Sequence, residues 1–570
     1  MKHLTLLGVS LLLTASSLAA LARGGDVVFE AMKDEMDRGL ARLQMEKLDH
    51  PYFIGLTVRD VESASTYSQF GAVVATSSDT SRFAMSDLRV GDYQFDNTNF
   101  LGGGFGGSRS GRVSLSLDDD YDVLRHSLWL FLDRTYKNAL ERISVKRAIA
   151  KTKTQLKRPP DFTRAEPVES VGTPVHLDLD LGAWAERVRK LSAIFREFPL
   201  IQQSGVELSA IALNQRYLST EGAKVLRGSA YYELKAWVYT QAPDGMHLSD
   251  STSFLVRAKD ELPSQADAEK ALRALGEKLT KLAQSPAMDD YTGPVLLTKA
   301  AAAQFFKILL ADNLSDPVLP LLENDGMADR IRGQKLVTKL TRRVLPPFFE
   351  ATDDPTRTAF KDKPLFGAYQ VDDEGVAPRA VPIVEKGRLA GYYMSRTPTE
   401  KVAQSNGHGR WTGFGSKVAG VVGNLSVQSA TPESFDELKG ELIDACKDDD
   451  LEYGVIIDDL GDAGRPRDVR GDPALPDPVV IRRVSVKDGH EEWARGGSFG
   501  KITPKILKDI MAAADDAHVM NALDGGVSPF ATPYSIVAPS ILVKELDLKK
   551  SEGEKDKPPL IPHPYFAQAR

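Results

Sequence analysis

Residues 291–316 read YTGPVLLTKAAAAQFFKILLADNLSD, and this stretch determines how the second half of the chain is organised. A turn and a short apolar run come first. An alanine-rich segment with apolar residues at helical spacing follows them, which predicts an amphipathic helix over 299–314, near the middle of the protein.

The sequence before this helix alternates between helical and strand patterns. Helical spacing of apolar residues predicts helices over 27–49, 118–155, 182–198 and 265–284, and alternation predicts strands over 206–240. Helices mixed with β-meanders indicate an α+β fold, so we expect an N-terminal mixed α/β domain over 23–287.

The sequence after Tyr291 is rich in short strands separated by Gly and Pro. Many short strands with turn signals favour a curved or barrel-like sheet, which predicts a strand-rich domain over 288–550. We expect two helices, at 431–446 and 503–515, to cap it. Residues 551–570 are charged and then Pro-rich, and predict an extended tail.

The first 22 residues have the pattern of a secretory signal peptide. A short basic start precedes the apolar stretch 4–21, and Ala20-Leu21-Ala22 supplies a small-x-small cleavage site. A single membrane anchor is the alternative, but Ser and Thr interrupt the stretch. The pattern predicts export to the periplasm or the extracellular space, and nothing later in the sequence is long and apolar enough to predict a transmembrane segment.

Composition is that of a folded globular protein. Hydrophobic residues make up 42% of the 570 residues and charged residues 26%, and the net charge is −7. The single cysteine, Cys446, excludes an intrachain disulfide. No Lys/Arg-rich block with interleaved aromatic residues is present, so the sequence predicts no nucleic-acid partner.

Several short motifs, in order and at consistent spacing, resemble those of the TldD/PmbA family, a metallopeptidase family related to modulators of gyrase. Besides residues 291–316 they are Arg89-Val90-Gly91-Asp92-Tyr93, Ser219-Thr220-Glu221-Gly222, Ser395-Arg396-Thr397-Pro398, Ser405–Arg410 and Gly423-Asn424-Leu425. The chain is most similar to the exported branch. The resemblance implies a TldD/PmbA-type C-terminal domain that grips an extended peptide as an added strand, and subunits that pair.

The resemblance also locates the family's metal site. Catalytic members carry His-Glu-x-x-x-His on the central helix, and the three positions fall near Lys307, Ile308 and Asp312. A Cys near the C-terminus completes the family's site, whereas the corresponding stretch 524–529 (DGGVSP) has none. A catalytic zinc needs three ligands from His, Cys, Asp and Glu, so we expect no metal and no cofactor in this chain, and zinc only in a metal-bearing relative.

The segment Ser405 to Arg410 (SNGHGR) is the remaining candidate for binding. Ser405, Asn406, His408 and Arg410 offer hydroxyl, amide, imidazole and guanidinium groups that could donate hydrogen bonds to a peptide backbone or carboxylate. A well-bonded structural turn explains the same residues equally well.

Four other patterns favour structural explanations. Gly496–Gly500 fits G-x-S-x-G but lies in a strand-rich half, and His490-Glu491 has no second His at metal-ligand spacing. The glycines of residues 102–107 fit G-x-G-x-x-G without a following helix, and the acidic residues of 448–462 lack a calcium-loop pattern.

These observations favour an exported TldD/PmbA-like protein without its own zinc. It would bind extended or unfolded peptide, or serve as the partner subunit of an active homologue, as a homodimer or heterodimer. Two alternatives stay open: an active metallopeptidase or other peptide hydrolase with an unrecognised site, and a non-enzymatic interaction protein of the cell envelope.

Overall fold

The computed structural model describes residues 25–102, 111–153, 158–315, 317–318, 320–324, 336–412, 417–461, 475–551 and 556–566. The predicted signal peptide, most of the glycine loop after residue 102 and Asp462 of the acidic run lie outside these residues. Within them, no helix is both long enough and apolar enough to cross a membrane.

Six α-helices are present in the described residues: α1 Val27–Arg42, α2 Tyr121–Thr152, α3 Leu181–Ser192, α4 Gln265–Gln284, α5 Lys299–Phe306 and α6 Phe435–Asp448. Side-chain caps fix several helix starts: the Asp26 carboxylate accepts from the Phe29 amide, and Ser434 with Glu437 forms a capping box. Such caps satisfy amide groups that have no partner inside the helix.

Eight strands lie in the N-terminal half: β1 Pro51–Gln69, β2 Ala72–Val90, β3 Phe100–Leu101, β4 Val113–Ser114, β5 Glu169–Val171, β6 Gln203–Ser219, β7 Lys224–Gln241 and β8 His247–Val256. Seven form one sheet in the order β4-β2-β1-β6-β7-β5, with β8 also paired to β7. A two-residue turn joins β1 to β2, and both Phe70 and Gly71 have positive φ, which matches the twist of a tight hairpin.

The C-terminal half carries the remaining strands. They are β9 Tyr291–Leu297, β10 Leu321–Leu322, β11 Phe349–Asp353, β12 Ala359–Phe360, β13 Lys363–Pro364, β14 Val381–Glu385, β15 Arg388–Leu389, β16 Gly409–Thr412, β17 Lys417–Gly420, β18 Asn424–Ser429, β19 Tyr453–Ile457, β20 Ile481–Ser485, β21 Glu491–Ala494, β22 Gly497–Phe499, β23 Ile510–Ala513, β24 His518–Asp524, β25 Thr532–Ala538 and β26 Ile541–Lys550.

Two large sheets organise this half. One has the order β15-β14-β11-β18-β25-β24, and the other has the order β21-β20-β19-β9-β26-β22 with β23 also paired to β26. Together with the N-terminal half they make a mixed helix and strand protein whose C-terminal part is strand-rich, which confirms the predicted fold class.

The central helix α5 lies in the largest hydrophobic core. Ala301, Ala302 and Ala303 are fully buried, and the same core contains residues of both C-terminal sheets, including Val295 of β9 and Ile536 of β25. A helix that is apolar over most of its surface is stable only where protein encloses it, so the alanine-rich sequence and the buried position explain each other.

The opposite face of the second sheet is covered by α6. Leu296 of β9 points away from the α5 core and packs with Leu438, Leu442 and Cys446 of α6. Successive residues of a strand face opposite sides, so a continuous apolar run such as that of β9 fits a strand that is buried on both faces.

The predicted helix over 503–515 is wrong. Residues Pro504–Asp509 form a short 3-10 helix, and Ile510–Ala513 form β23, which pairs with β26. Local alanine-rich composition favoured a helix, but pairing with β26 places Ala512 and Ala513 in buried positions, and tertiary packing overrides propensity. The division at 287/288 and the extended tail stay predictions.

Candidate functional site

The candidate site begins where α5 ends. The helix passes into a π-helical turn over Lys307–Ala311 and then into a 3-10 turn over Asp312–Leu314. The Asn313 side chain donates to the carbonyl oxygens of Ile308 at 2.9 Å and Leu309 at 3.1 Å. Single π turns inside helices often occur at functional sites, because the extra residue redirects the side chains that follow.

Lys307 and two aspartates form an ion cluster at this turn. The Lys307 Nζ lies 2.8 Å from the Asp312 Oδ1 and 3.5 Å from the Asp524 Oδ1. The same ammonium lies 4.5 Å from the centre of the Tyr534 ring. Asp524 is the last residue of β24, so this contact joins the central helix to the end of an edge strand. We call Lys307, Asp312 and Asp524 the Lys–Asp cluster.

The cluster holds Lys307 in its charged form. Burial alone would lower the pKa of Lys307, but the charges of Asp312 and Asp524 outweigh it, and the pKa lies well above its usual value. Lys307 therefore carries a fixed positive charge between two carboxylates at any physiological pH.

The cluster coincides with the positions that the sequence resemblance connects with zinc. The resemblance puts the family's two His positions near Lys307 and Asp312. The stretch that corresponds to the family's Cys, and that has none here, starts at Asp524. The sequence did not predict that Asp524 contacts Lys307. Ile308 offers no side-chain ligand, and the described residues contain no group of three or more His, Cys, Asp or Glu side chains that could hold a metal.

These residues do not fit a catalytic zinc. Such a site needs three lone-pair donors and an open position, whereas here a protonated amine lies between the two carboxylates of the cluster. A charged lysine has no free lone pair and repels a second cation, so the lysine itself supplies the positive charge of this cluster.

Comparison with known proteins identifies the part of the chain that contains the Lys–Asp cluster. Residues 291–550 match the model of the PmbA/TldA metallopeptidase C-terminal domain. Through these residues the chain belongs to the PmbA/TldD family. No curated protein sequence shows significant similarity to the chain.

Solved structures share the PmbA/TldD fold over nearly the whole chain. One is described as a candidate modulator of DNA gyrase from Thermotoga maritima, with 15% identity and a TM-score of 0.57 over 91% of this chain and 100% of that one. TldE from Thermococcus kodakarensis has 12% identity and a TM-score of 0.54 over 91% and 100%. A candidate modulator of DNA gyrase from Bacteroides thetaiotaomicron has 12% identity and a TM-score of 0.56 over 92% and 98%.

The second group of predicted site residues in this PmbA/TldD protein lies in a buried turn. Ser405 Oγ donates to the Met394 carbonyl at 3.1 Å, and Asn406 Nδ2 donates to the Tyr392 carbonyl at 2.8 Å. Gly407 has a φ of +75°, and a Cβ there would lie 2.4 Å from Pro378 Cα, so only glycine fits.

His408 and Arg410 are also bonded inside the protein. His408 is fully buried, with its Nε2 3.1 Å from the Asp353 Oδ1, and the Arg410 Nε donates to the Asp373 Oδ2 at 3.2 Å. Asp353 further accepts from the amides of Gly423 and Asn424. The contacts of residues 405–410 are those of a well-bonded turn, which is the structural explanation that the sequence offers beside peptide binding. A role of these four residues in peptide binding is not tested and stays a prediction.

Three other sequence patterns of this family member make ordinary structural contacts: residues 496–500, Glu491 and the acidic run. Ser498 lies within the short strand β22, and its hydroxyl contacts the Lys549 carbonyl at 3.4 Å, so residues 496–500 do not form a strand-to-helix elbow. Glu491 pairs with Lys439 and Arg482. In the acidic run, Asp458 pairs with Arg482 at 2.6 Å.

Proposed function

We propose that this protein is an exported PmbA/TldD-family member that has no zinc site of its own and acts by binding extended peptide. It does so either alone or as the partner subunit of a metal-bearing homologue. Residues 1–22 support export, because their pattern is that of a cleaved signal peptide.

The single observation that carries the loss of zinc is the buried ammonium of Lys307 between Asp312 and Asp524. Three positions that the family resemblance connects with ligands are brought together here. They hold one cation and two anions that neutralise each other in part. A site in which an amine already pairs with both carboxylates has too few free donors for a catalytic zinc, and the amine repels a second cation.

The neighbouring edge strand supports peptide binding. Within the described residues β24 pairs with β25 on one side and ends its sheet on the other. A free edge offers backbone N–H and C=O groups to an added strand. Because β24 ends at Asp524, a peptide along this edge would run toward the Lys–Asp cluster, where its backbone and side chains meet fixed charges.

Metal analysis and a peptidase assay test the loss of zinc. The purified mature protein should contain much less than one zinc per chain after incubation with zinc and dialysis, and it should not cleave unfolded peptides. Stoichiometric, tightly held zinc together with chelator-sensitive cleavage would contradict this part and favour an active peptidase.

Adjacent proline substitutions in β24 test peptide binding. Neighbouring residues of an edge strand direct their N–H groups alternately to the partner strand and to the free edge. Val519→Pro and Met520→Pro therefore remove N–H groups that point in opposite directions. The variant that loses the N–H of the free edge should no longer bind a fluorescent unfolded peptide, and its melting temperature should stay close to that of the wild type. The other should lower the melting temperature, and it is the matched control. Wild-type affinity in the stable variant would refute binding at this edge.

Light scattering tests pairing. The protein should be a dimer at micromolar concentration, either alone or when co-expressed with a metal-bearing homologue. A monomer in both samples would exclude the partner-subunit form of the proposal.

A further inference from the structure

A second site of this molecule lies between its N-terminal sheet and its C-terminal half. A cavity of about 470 Å³ is lined by residues of β6 and β7, by the loop 368–371 and by the start of β25. Ligand-binding cavities typically measure about 300–1,000 Å³, so this one is large enough for a small organic molecule.

Four arginines line this cavity, and we call it the arginine pocket. They are Arg59, Arg227, Arg257 and Arg410. Their ion pairs within the described chain are made to one carboxylate, Asp373, which contacts Arg227 at 2.7 Å and Arg410 at 3.2 Å. Two neighbouring acidic residues form no ion pair with the other two arginines among the described residues. Asp372 accepts three backbone amides, and Glu374 accepts the Arg396 amide.

The other two arginines bond to neutral groups. Arg59 donates to the Gln215 amide oxygen at 2.8 Å and to the Pro529 carbonyl at 2.9 Å. Arg257 donates to the Phe366 carbonyl at 2.6 Å. The pocket wall therefore carries four guanidinium groups, whereas Asp373, which pairs with two of them, is not a lining residue, and this leaves an excess of positive charge.

One guanidinium nitrogen of the pocket has no hydrogen-bond partner among the described residues. The buried Nη1 atom of Arg410 donates to no acceptor there, and Arg410 is only 4% exposed. Leaving a buried charged donor without an acceptor is costly, and such a group indicates that an acceptor is supplied from outside the chain.

The electrostatics of Arg59 agree with crowded positive charge. Burial is the largest cause that lowers the pKa of Arg59, to about 10, and the charges of Arg227 and Arg410 lower it further. Asp373 opposes this shift but does not cancel it. A bound anion would relieve the repulsion among these groups.

The rest of the pocket wall combines polar side chains with apolar and aromatic ones. Leu213, Val225, Tyr231, Tyr369 and Val371 contribute to it. The Arg410 guanidinium lies 4.6 Å from the centre of the Tyr369 ring, a contact that holds the fork in place. A ligand would therefore meet both guanidinium groups and apolar surface in one cavity.

We propose that the arginine pocket binds a small molecule that carries one carboxylate or phosphate group on an apolar body. The planar guanidinium fork can donate paired hydrogen bonds to two oxygens of either a carboxylate or a phosphate. The apolar body would contact the side chains of β6, β7 and the loop 368–371. This site uses none of the Lys–Asp cluster residues, so it does not depend on peptide binding at β24.

Calorimetric titration of the full-length mature protein tests the proposal with four probes. Phenyl phosphate and N-acetylphenylalanine carry the two oxyanions, N-acetylphenylalanine amide lacks the charge, and inorganic phosphate lacks the apolar body. At least one of the first two should bind clearly more tightly than both of the others, and the tighter one identifies the oxyanion. The proposal would be overturned if neither phenyl phosphate nor N-acetylphenylalanine bound more tightly than both N-acetylphenylalanine amide and inorganic phosphate, or if no probe bound at millimolar concentration.

Substitutions locate the binding. Arg257→Gln removes a guanidinium that has no carboxylate partner, so the protein should stay folded while affinity falls by about tenfold or more. Arg410→Lys keeps the charge near Asp373 but loses the planar fork, and it should weaken binding by a similar factor. Arg483→Gln in β20 does not line the pocket and is the matched control. Unchanged affinity in both pocket variants, with melting temperatures near that of the wild type, would place the binding elsewhere and refute the assignment.

Discussion

Replacing Lys307 by Met tests whether the Lys–Asp cluster is held together by charge. Methionine keeps an unbranched, apolar chain of similar length but removes the ammonium. Asp312 and Asp524 would then lose the ammonium that they share, at the end of the π turn that leaves the buried helix α5.

The exposure of the three side chains sets the expected magnitude. Removing one partner of a fully buried ion pair costs about 3–5 kcal/mol, and exposed pairs contribute about 0–1 kcal/mol. The Lys307 side chain is 9% exposed, but Asp312 is 38% and Asp524 is 55% exposed, so solvent screens both carboxylates. We expect Lys307→Met to lower the local stability by about 1–3 kcal/mol, between these limits.

Hydrogen exchange measured by mass spectrometry gives the local stability directly. Peptides that cover 305–315 and 518–526 report the free energy of opening around the cluster, whereas a global melt of a chain this long mixes several transitions. The matched control is Lys33→Met, whose partner Asp37 forms an exposed pair on α1, and it should change stability by less than about 0.5 kcal/mol.

The pH dependence provides a further check. The folded pKa of Lys307 lies above the unfolded value of 10.5, so its contribution is fully present below pH 10.5 and is lost only as the pH rises above that value. The difference between wild type and variant should therefore be the same at neutral and mildly alkaline pH. A Lys307→Met protein as stable as the wild type would show that packing alone holds this turn and would refute the charge argument.

Three further predictions concern buried groups outside the cluster. Burial, and then the charge of Asp372, raises the pKa of Glu374 to about 8, so its stabilising contribution is complete below about pH 4.5 and is lost as the pH rises through about 8. Glu374→Gln should therefore gain stability relative to wild type, by more than about 1 kcal/mol, between mildly acidic and mildly alkaline pH in denaturant melts; an unchanged difference would contradict this. Asp353→Ala leaves buried His408 and two backbone amides without an acceptor and should lower stability by about 3 kcal/mol or more, with a clear fall in melting temperature by calorimetry, whereas an unchanged melting temperature would show that water replaces the carboxylate. Cys446 is fully buried with a raised pKa, so a thiol reagent should label it only as fast as the α6 region opens, and rapid labelling of the native protein would show that α6 does not cover the sheet.

Local patterns were sufficient to predict the regular parts of the fold. Helices α1, α2 and α4 follow from apolar periodicity, because each buries one face against its neighbours, and the paired strands β6 and β7 follow from the strand pattern of residues 206–240. The prediction of a helix over 503–515 was wrong because the structure of this segment depends on a distant strand. Its neighbours along the chain favour a helix, but its partner strand β26 comes about 30 residues later and takes it into a sheet.

The Lys–Asp cluster and the arginine pocket also show that residues close together in the sequence are easier to predict as a site than residues far apart. Lys307 and Asp312 are five residues apart, and the family resemblance was enough to name both. Asp524 reaches them only through the fold of β24. The arginine pocket combines Arg59, Arg227, Arg257 and Arg410, which are separated by tens to hundreds of residues, and nothing in their sequence surroundings connects them.

The pairing of β9 with β26 has a consequence for synthesis of the chain. The first strand of the C-terminal half lies between β19 and β26, the last of which begins at Ile541. The apolar helix α5 therefore leaves the ribosome long before the strands that enclose it, and native contacts of such large sequence separation form slowly. A nascent chain that stops before Ile541 keeps an edge of β9 open and part of the α5 core uncovered. Holding this intermediate apart from other chains is a task for chaperones until translation is complete.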